Sequence, residues 1–193
     1  MNPVLQPSLA FAGIVPSEEQ AAQLDSLGDW LRAEALPAGV IGPSEGSRID
    51  DRHLADSLVY AAAWPVPPRE CWDLGTGAGL PGLVLAIIWP ECRFTLVDRS
   101  ARKIDLVRRG ARILGVDVDT RVTSIGGLEG RVEAVVSRAL MPTSTLRPHL
   151  ERLLKPGGLA VVSGSGVPIS GYEEMRVPAG ILDHSARLLM MRA

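Results

Sequence analysis

Four glycines fall between Trp72 and Gly82, in the stretch WDLGTGAGLPG, and their spacing supports two overlapping readings. Gly75, Gly77 and Gly79 spell G-x-G-x-G, a turn suited to S-adenosylmethionine, whereas Gly77, Gly79 and Gly82 spell G-x-G-x-x-G, the dinucleotide fingerprint. Both chemistries use one property: a backbone without Cβ atoms can come close to an adenosine-bearing ligand. Asp98 follows Gly79 by 19 residues. That is near the ~20-residue spacing at which a carboxylate reaches ribose hydroxyls, and it suits either cofactor. An Asp ahead of Arg99-Ser100 can equally open the next helix. Asp73 is either an acid of the pocket or a hydrogen-bond anchor for the glycine turn.

The elements flanking the loop discriminate between the registers. The CWDL strand ends at Leu74, so Gly75 follows it directly. The dinucleotide register starts two residues later, leaves Gly75-Thr76 as an insert, and puts Pro81 inside a helix that is already running. Proline belongs in the first helical turn, so a helix over 81–89 begins near Pro81, beyond the G-x-G-x-G turn. S-adenosylmethionine is therefore preferred to a nicotinamide or flavin cofactor. A tight strand-to-helix turn with no ligand is the plain structural alternative.

Downstream, FTLV at 94–97 reads as a second strand, followed by a helix from a Ser100 cap to Leu114 that Gly115 ends. TRVTS at 120–124 and EAVVS at 133–137 read as strands three and four; a helix over 143–154 and a Lys155-Pro-Gly-Gly158 turn precede strand five, LAVVS. Segments near 175–177 and 187–192 can pair as an antiparallel hairpin. This alternation predicts an α/β fold with a mostly parallel sheet, helices on both faces, and a ligand beyond the carboxyl ends of the strands. Upstream, Ser17-Glu-Glu-Gln20 is a capping box for a helix over 17–35, and a second helix covers 48–63. The Trp64-Pro-Val-Pro-Pro68 break makes residues 1–66 a short helical N-terminal extension packed on a core of residues 67–193, within one domain.

Charge and composition set the partners. Residues 1–60 carry nine acids against three arginines, and the remainder carries 17 bases against 13 acids. A sequence pI near 5.9 gives no support for tight non-specific nucleic-acid binding. Arg102, Lys103, Arg108, Arg109 and Arg112 read as a solvated helix face rather than an RNA rail. Cys71 and Cys92 have no companion Cys or His set, so no metal site is expected and both are read as buried small hydrophobes. With no long apolar run and no signal-peptide pattern in MNPVLQPSLAFAG, a soluble cytoplasmic protein with no membrane partner is expected.

Together, Arg52-His-Leu-Ala-Asp-Ser-Leu58, Asp73-Leu-Gly-Thr-Gly-Ala-Gly-Leu-Pro-Gly82, Val97-Asp98, Val136-Ser-Arg-Ala139 and Leu154-Lys-Pro-Gly-Gly158 make the chain recognisable. It resembles, across nearly its whole length, the bacterial RsmG/GidB family of methyltransferases that modify guanine N7 in small-subunit ribosomal RNA. The resemblance implies a seven-stranded class I methyltransferase (Rossmann-like) fold with S-adenosylmethionine as cofactor. It implies cofactor contacts from Gly75, Leu80, the Leu128-Glu129 backbone and Arg138, and makes Arg187 a substrate-binding residue. Asp73, Thr76, Gly77, Gly79 and Asp98 complete the expected cofactor set.

Two departures bear on the substrate. Gly127-Leu-Glu129 stands where the family shows R-x-E, and Val162-Ser-Gly164 where it shows L-K-G, so a basic residue is missing in each place. Guanine N7 presents an in-plane lone pair and has no proton to lose, so its methylation needs alignment and exclusion of water more than a general base. Arg138 and His53 are the expected catalytic residues, Arg138 orienting cofactor or base. His53 and Asp56, three apart on one helix face, either line the pocket or pack the helix. Methylation of a small molecule and non-catalytic S-adenosylmethionine binding are the other readings.

Overall fold

The computed structural model describes residues 2–164 and 170–193. Seven strands form one sheet: β1 Glu70–Leu74, β2 Arg93–Asp98, β3 Asp119–Val122, β4 Val132–Ser137, β5 Leu154–Ser163, β6 Glu173–Arg176 and β7 Arg187–Arg192. Their order is β3-β2-β1-β4-β5-β7-β6, parallel except that β7 runs against both its neighbours. The strand order reverses between β1 and β4, the switch point where open α/β sheets leave a crevice.

Alternation along the strands sorts the core into two layers. Cys71, Phe94, Ala134 and Val161 face the N-terminal helices with α4 (Gly82–Ile88) and α5 (Ala101–Leu114). Trp72, Val135, Ala160 and Leu189 face the other way, onto Leu146, Leu150 and Leu153 of α6 (Thr143–Leu153). Helices thus cover both faces, as the βαβ pattern predicts.

The residues ahead of β1 form α1 (Gln6–Phe11), α2 (Glu18–Trp30) and α3 (Ala55–Leu58), joined by tighter and wider helical turns. The Ser17–Gln20 capping box forms reciprocally, at 3.1 and 2.9 Å. Gln20 and its neighbour Gln23 also donate to carbonyls at the C-terminal ends of α4 and α5, Ile87 and Leu114, both at 3.0 Å. Those are the groups a helix end leaves without intrahelical partners. Arg102 donates to the Ala38 carbonyl and Arg109 pairs with Glu34, each at 2.8 Å, so these two cations of α5 fasten it to the N-terminal segment.

Three local features differ from the sequence expectation. The 17–35 helix widens into a π-turn at Leu31–Ala35, and the 48–63 helix is a succession of π, α and 3-10 turns. The Ser57 hydroxyl there donates to the His53 carbonyl at 2.6 Å, a local bond that competes with a regular ladder. Lys155–Gly158 lies within β5 as a bulge, where pairing jumps from Val132↔Leu154 to Ala134↔Leu159. No helix among the described residues is long and apolar enough to cross a membrane.

Candidate active site

The turn after β1 is fastened from both sides. Gly75 and Thr76 donate their amides to the Val97 carbonyl of β2, at 2.8 and 2.9 Å, and Thr76 returns its own carbonyl to Gly79 and Leu80. Beneath the turn, Asp73 is 0% exposed; its Oδ2 accepts the Thr76 hydroxyl at 2.6 Å and the Gly82 amide at 2.9 Å. Of the two sequence readings of Asp73, these bonds are those of an anchor. Its Oδ1 has no hydrogen-bond partner among the described residues. Burial pushes the carboxyl up to about 6 against the opposing pull of Thr76 and Gly82.

The glycines divide the labour. A Cβ on Gly82 would collide with the Leu96 side chain and stand 2.6 Å from Asp73 Oδ2, so this glycine lets α4 close on the sheet. A Cβ on Gly77, whose φ is +59°, would meet only the Gly75 carbonyl oxygen at 3.9 Å. The approachable backbone of this turn is therefore at Gly77, which both fingerprints share, while Gly75, Gly79 and Gly82 are packed against Leu140, Leu83 and Leu96. Leu80 is buried in the core and contributes to the turn through its backbone.

At the carboxyl ends of β1 to β4 lies a cavity of about 390 Å³, lined by Gly75, Val97, Asp98, Lys103, Thr123–Ile125 and Ala139–Met141, among others. Asp98 is nearly buried. Its Oδ1 accepts the Ser100 amide at 2.9 Å, and its Oδ2 accepts the Gly77 amide at 3.2 Å with Lys103 Nζ at 4.0 Å. The carboxylate thus serves both the helix start and the glycine turn. Lys103, Leu140 and Met141 were not anticipated; Lys103 belongs to a basic helix face, and the other two follow β4 in a loop without a motif. Leu128 and Glu129 follow the Ile125–Gly127 turn and are not among the lining residues. Gly127, where the resemblance leads one to expect an Arg, sits in that turn.

A second cavity, about 460 Å³, adjoins the first at Ala139. It is lined by Glu45, Arg52, His53, Asp56, Arg138, Ser163, His184 and Arg187, among others. The buried Tyr60 hydroxyl donates to the Ser137 carbonyl at 3.1 Å, and the Ser137 hydroxyl donates to Leu74 at 2.9 Å, which fixes the chain entering Arg138. Arg138 Nη1 reaches Asp56 Oδ2 at 3.4 Å and Nη2 reaches His53 Nδ1 at 3.2 Å. Burial, then the Arg138 charge, pushes the His53 ring down to about 4. Arg187 pairs with Glu174 at 3.2 Å, while the Arg52 guanidinium makes no hydrogen bond or ion pair among the described residues. Ser163, where the resemblance leads one to expect a Lys, accepts the Ala139 amide at 3.0 Å. Ala139 has φ +49°, a left-handed conformation that alanine rarely adopts, at the junction of the two cavities.

The first cavity fits an adenosyl methyl donor. Gly77 leaves room for its approach, Asp98 offers a carboxylate for ribose, and Leu140 and Met141 supply apolar wall. The orphan Asp73 oxygen adds negative charge beneath a turn that would face a cation. No cluster of metal-ligating side chains occurs among the described residues.

The family model described as "GidB: rRNA small subunit methyltransferase G" matches residues 20–166. A Ribosomal RNA small subunit methyltransferase G from Acidothermus cellulolyticus is 34% identical over 132 residues, 68% of this chain and 59% of the relative. The enzyme of that name from Methylococcus capsulatus is 36% identical over 162 residues, 82% of this chain and 75% of the relative. The chain thus spans between about three fifths and three quarters of these relatives' length. In fold it is similar to magnesium protoporphyrin IX methyltransferase from Synechocystis PCC 6803, solved with bound S-adenosylmethionine. That likeness has a TM-score of 0.61 at 14% identity and covers 93% of this chain and 99% of that one. With the family match running from α2 past the end of β5, and with Arg52, His53, Asp56, Gly75, Asp98 and Arg138 lining two adjoining cavities, the chain belongs to the rRNA small subunit methyltransferase G family.

Proposed function

We propose that the protein transfers a methyl group from S-adenosylmethionine to N7 of a guanine in small-subunit ribosomal RNA. The observation that carries this is the pair of cavities meeting at Ala139, one lined by Gly75 and Asp98, the other by Arg52, Arg138 and Arg187. Asp98 and the open side of Gly77 hold the adenosyl end of the donor, and the second cavity admits the base.

When bound, the cofactor supplies a sulfonium-activated methyl group, so the protein's work is alignment. Tyr60 and Ser137 fix the backbone entering Arg138, whose fork is then held by Asp56 and His53. The Ala139–Met141 loop lines the first cavity and Ala139 lines both, so this loop borders the path from donor to acceptor. N7 would supply the electron pair and take up the positive charge that the sulfonium would give up, so no residue of this chain has to act as a base. No proton moves.

Deleting the gene and mapping chemical strand scission at N7-methylguanine in small-subunit ribosomal RNA tests this. One scission is lost in the deletion strain and restored by the wild-type gene. Unchanged scission overturns the assignment. A second reading, methylation of a small molecule, is favoured by Gly127 and Ser163, which leave the chain two cations short of the pattern the resemblance implies, one of them at the wall of the second cavity. Scission unaltered by deletion, with S-adenosylhomocysteine still bound, is the outcome expected of it.

A further inference from the structure

His53, in the wall of the second cavity, carries a donor that the protein itself leaves unspent. A guanidinium has no acceptor atom, so the 3.2 Å contact between Arg138 Nη2 and His53 Nδ1 requires a lone pair on Nδ1. The ring is then neutral with its one proton on Nε2. Asp56, 3.4 Å from Arg138 Nη1, holds the other arm of the fork and with it the direction of the first. His53 Nε2 is buried and has no hydrogen-bond partner among the described residues. The carboxylate oxygen nearest in the ion-pair geometry, Glu45 Oε2, stands at 3.5 Å, beyond a normal N–H···O bond. An unmade bond from a buried donor is costly, and a bound acceptor atom would relieve that cost.

We propose that His53, locked by Arg138 as the Nε2-protonated tautomer, donates that proton to the O6 carbonyl of the acceptor base and so selects guanine over adenine. The proposal rests on the guanine-N7 reading above. On the edge that carries N7, guanine presents two acceptors, N7 and O6, whereas adenine presents N7 beside an amino donor. N7 must stay bare to receive the methyl group, which leaves O6 as the acceptor available to the protein. An adenine in the same pose would set its amino group against the Nε2–H. Arg138, Glu45, Asp56 and Arg52 are the charged groups acting on the ring; burial and Arg138 outweigh the two carboxylates, so the ring stays neutral at physiological pH.

The test uses the wild-type protein, His53→Leu and His53→Gln, with small ribosomal subunits from the deletion strain as acceptor. His53→Leu is expected to lower kcat/KM by about tenfold or more, with S-adenosylhomocysteine affinity unchanged and the protein still folded at the assay temperature. His53→Gln, which keeps an amide donor, recovers most of that loss. Imidazole ¹⁵N shifts of the free protein, assigned by the signal missing in His53→Gln, are expected to show Nε2 protonated at pH 7. Full activity of His53→Leu on subunits that the wild type methylates overturns the O6 contact, and an Nδ1-protonated or doubly protonated ring overturns the lock. Absence of transfer by the wild type overturns the acceptor assignment and the O6 contact with it.

Discussion

The Asp98 carboxylate receives the Gly77 amide, Oδ2 to N at 3.2 Å, while its other oxygen takes the Ser100 amide at 2.9 Å. One side chain therefore sets the gap between the glycine turn and the start of α5, which is the mouth of the first cavity. A methyl group placed on Gly77 would meet no atom closer than 3.9 Å, so it would occupy ligand space. Gly77→Ala is expected to weaken S-adenosylhomocysteine binding at least tenfold. The fold should lose only the roughly 1–2 kcal/mol of a left-handed alanine. Titration calorimetry and thermal melting on one preparation check both halves.

Gly82→Ala should behave in the opposite way. Its added carbon meets Leu96 and Asp73, both buried, and overpacking of this kind costs about 1–3 kcal/mol. A fall in melting temperature with cofactor affinity retained below the transition is expected. A variant as stable as wild type would mean that α4 does not close on the sheet as described.

Asp73 gives a pH signature. Its carboxyl moves from an ordinary 3.8 to about 6 on folding. The folded state therefore holds this proton more firmly, so the contribution to stability is full below the lower value and lost as pH rises through the upper. Asp73→Asn removes the titration. Its stability relative to wild type is expected to climb by roughly 2–3 kcal/mol between pH 4 and 7. His53, pushed down to about 4, acts with the opposite sign in both proteins and cancels from the difference. Urea unfolding at four or five pH values reads this directly.

Ser163→Lys restores the family's cation at the wall of the second cavity. The salt slope of RNA binding should steepen by about one phosphate contact. The substitution also removes the acceptor of the Ala139 amide, so turnover need not rise with affinity. Binding measured from 50 to 200 mM salt checks the slope; an unchanged slope would place position 163 away from RNA.

Sequence pattern carried the sheet and the glycine turn because both depend on local chemistry. Ser17 with Gln20, Gly115 after α5 and Pro81 before α4 are signals confined to a few residues, and the structure uses each of them. The second cavity was less legible, since Glu45, His53, Arg138, Ser163 and His184 converge from five separate segments. Lys103 was read with its helix as a solvated face, and only the approach of β2 brings it near Asp98. The π-turns at 31–35 and 49–54 have no spacing signal, because they reflect side-chain bonds and packing rather than propensity.

The account turns on an adenosine-linked sulfonium resting against the bare backbone at Gly77. Isothermal titration of the purified protein with S-adenosylmethionine, S-adenosylhomocysteine and NADH tests that most directly. One molecule of either sulfur ligand per chain, with no heat from NADH, is the predicted result; binding of NADH alone would contradict it.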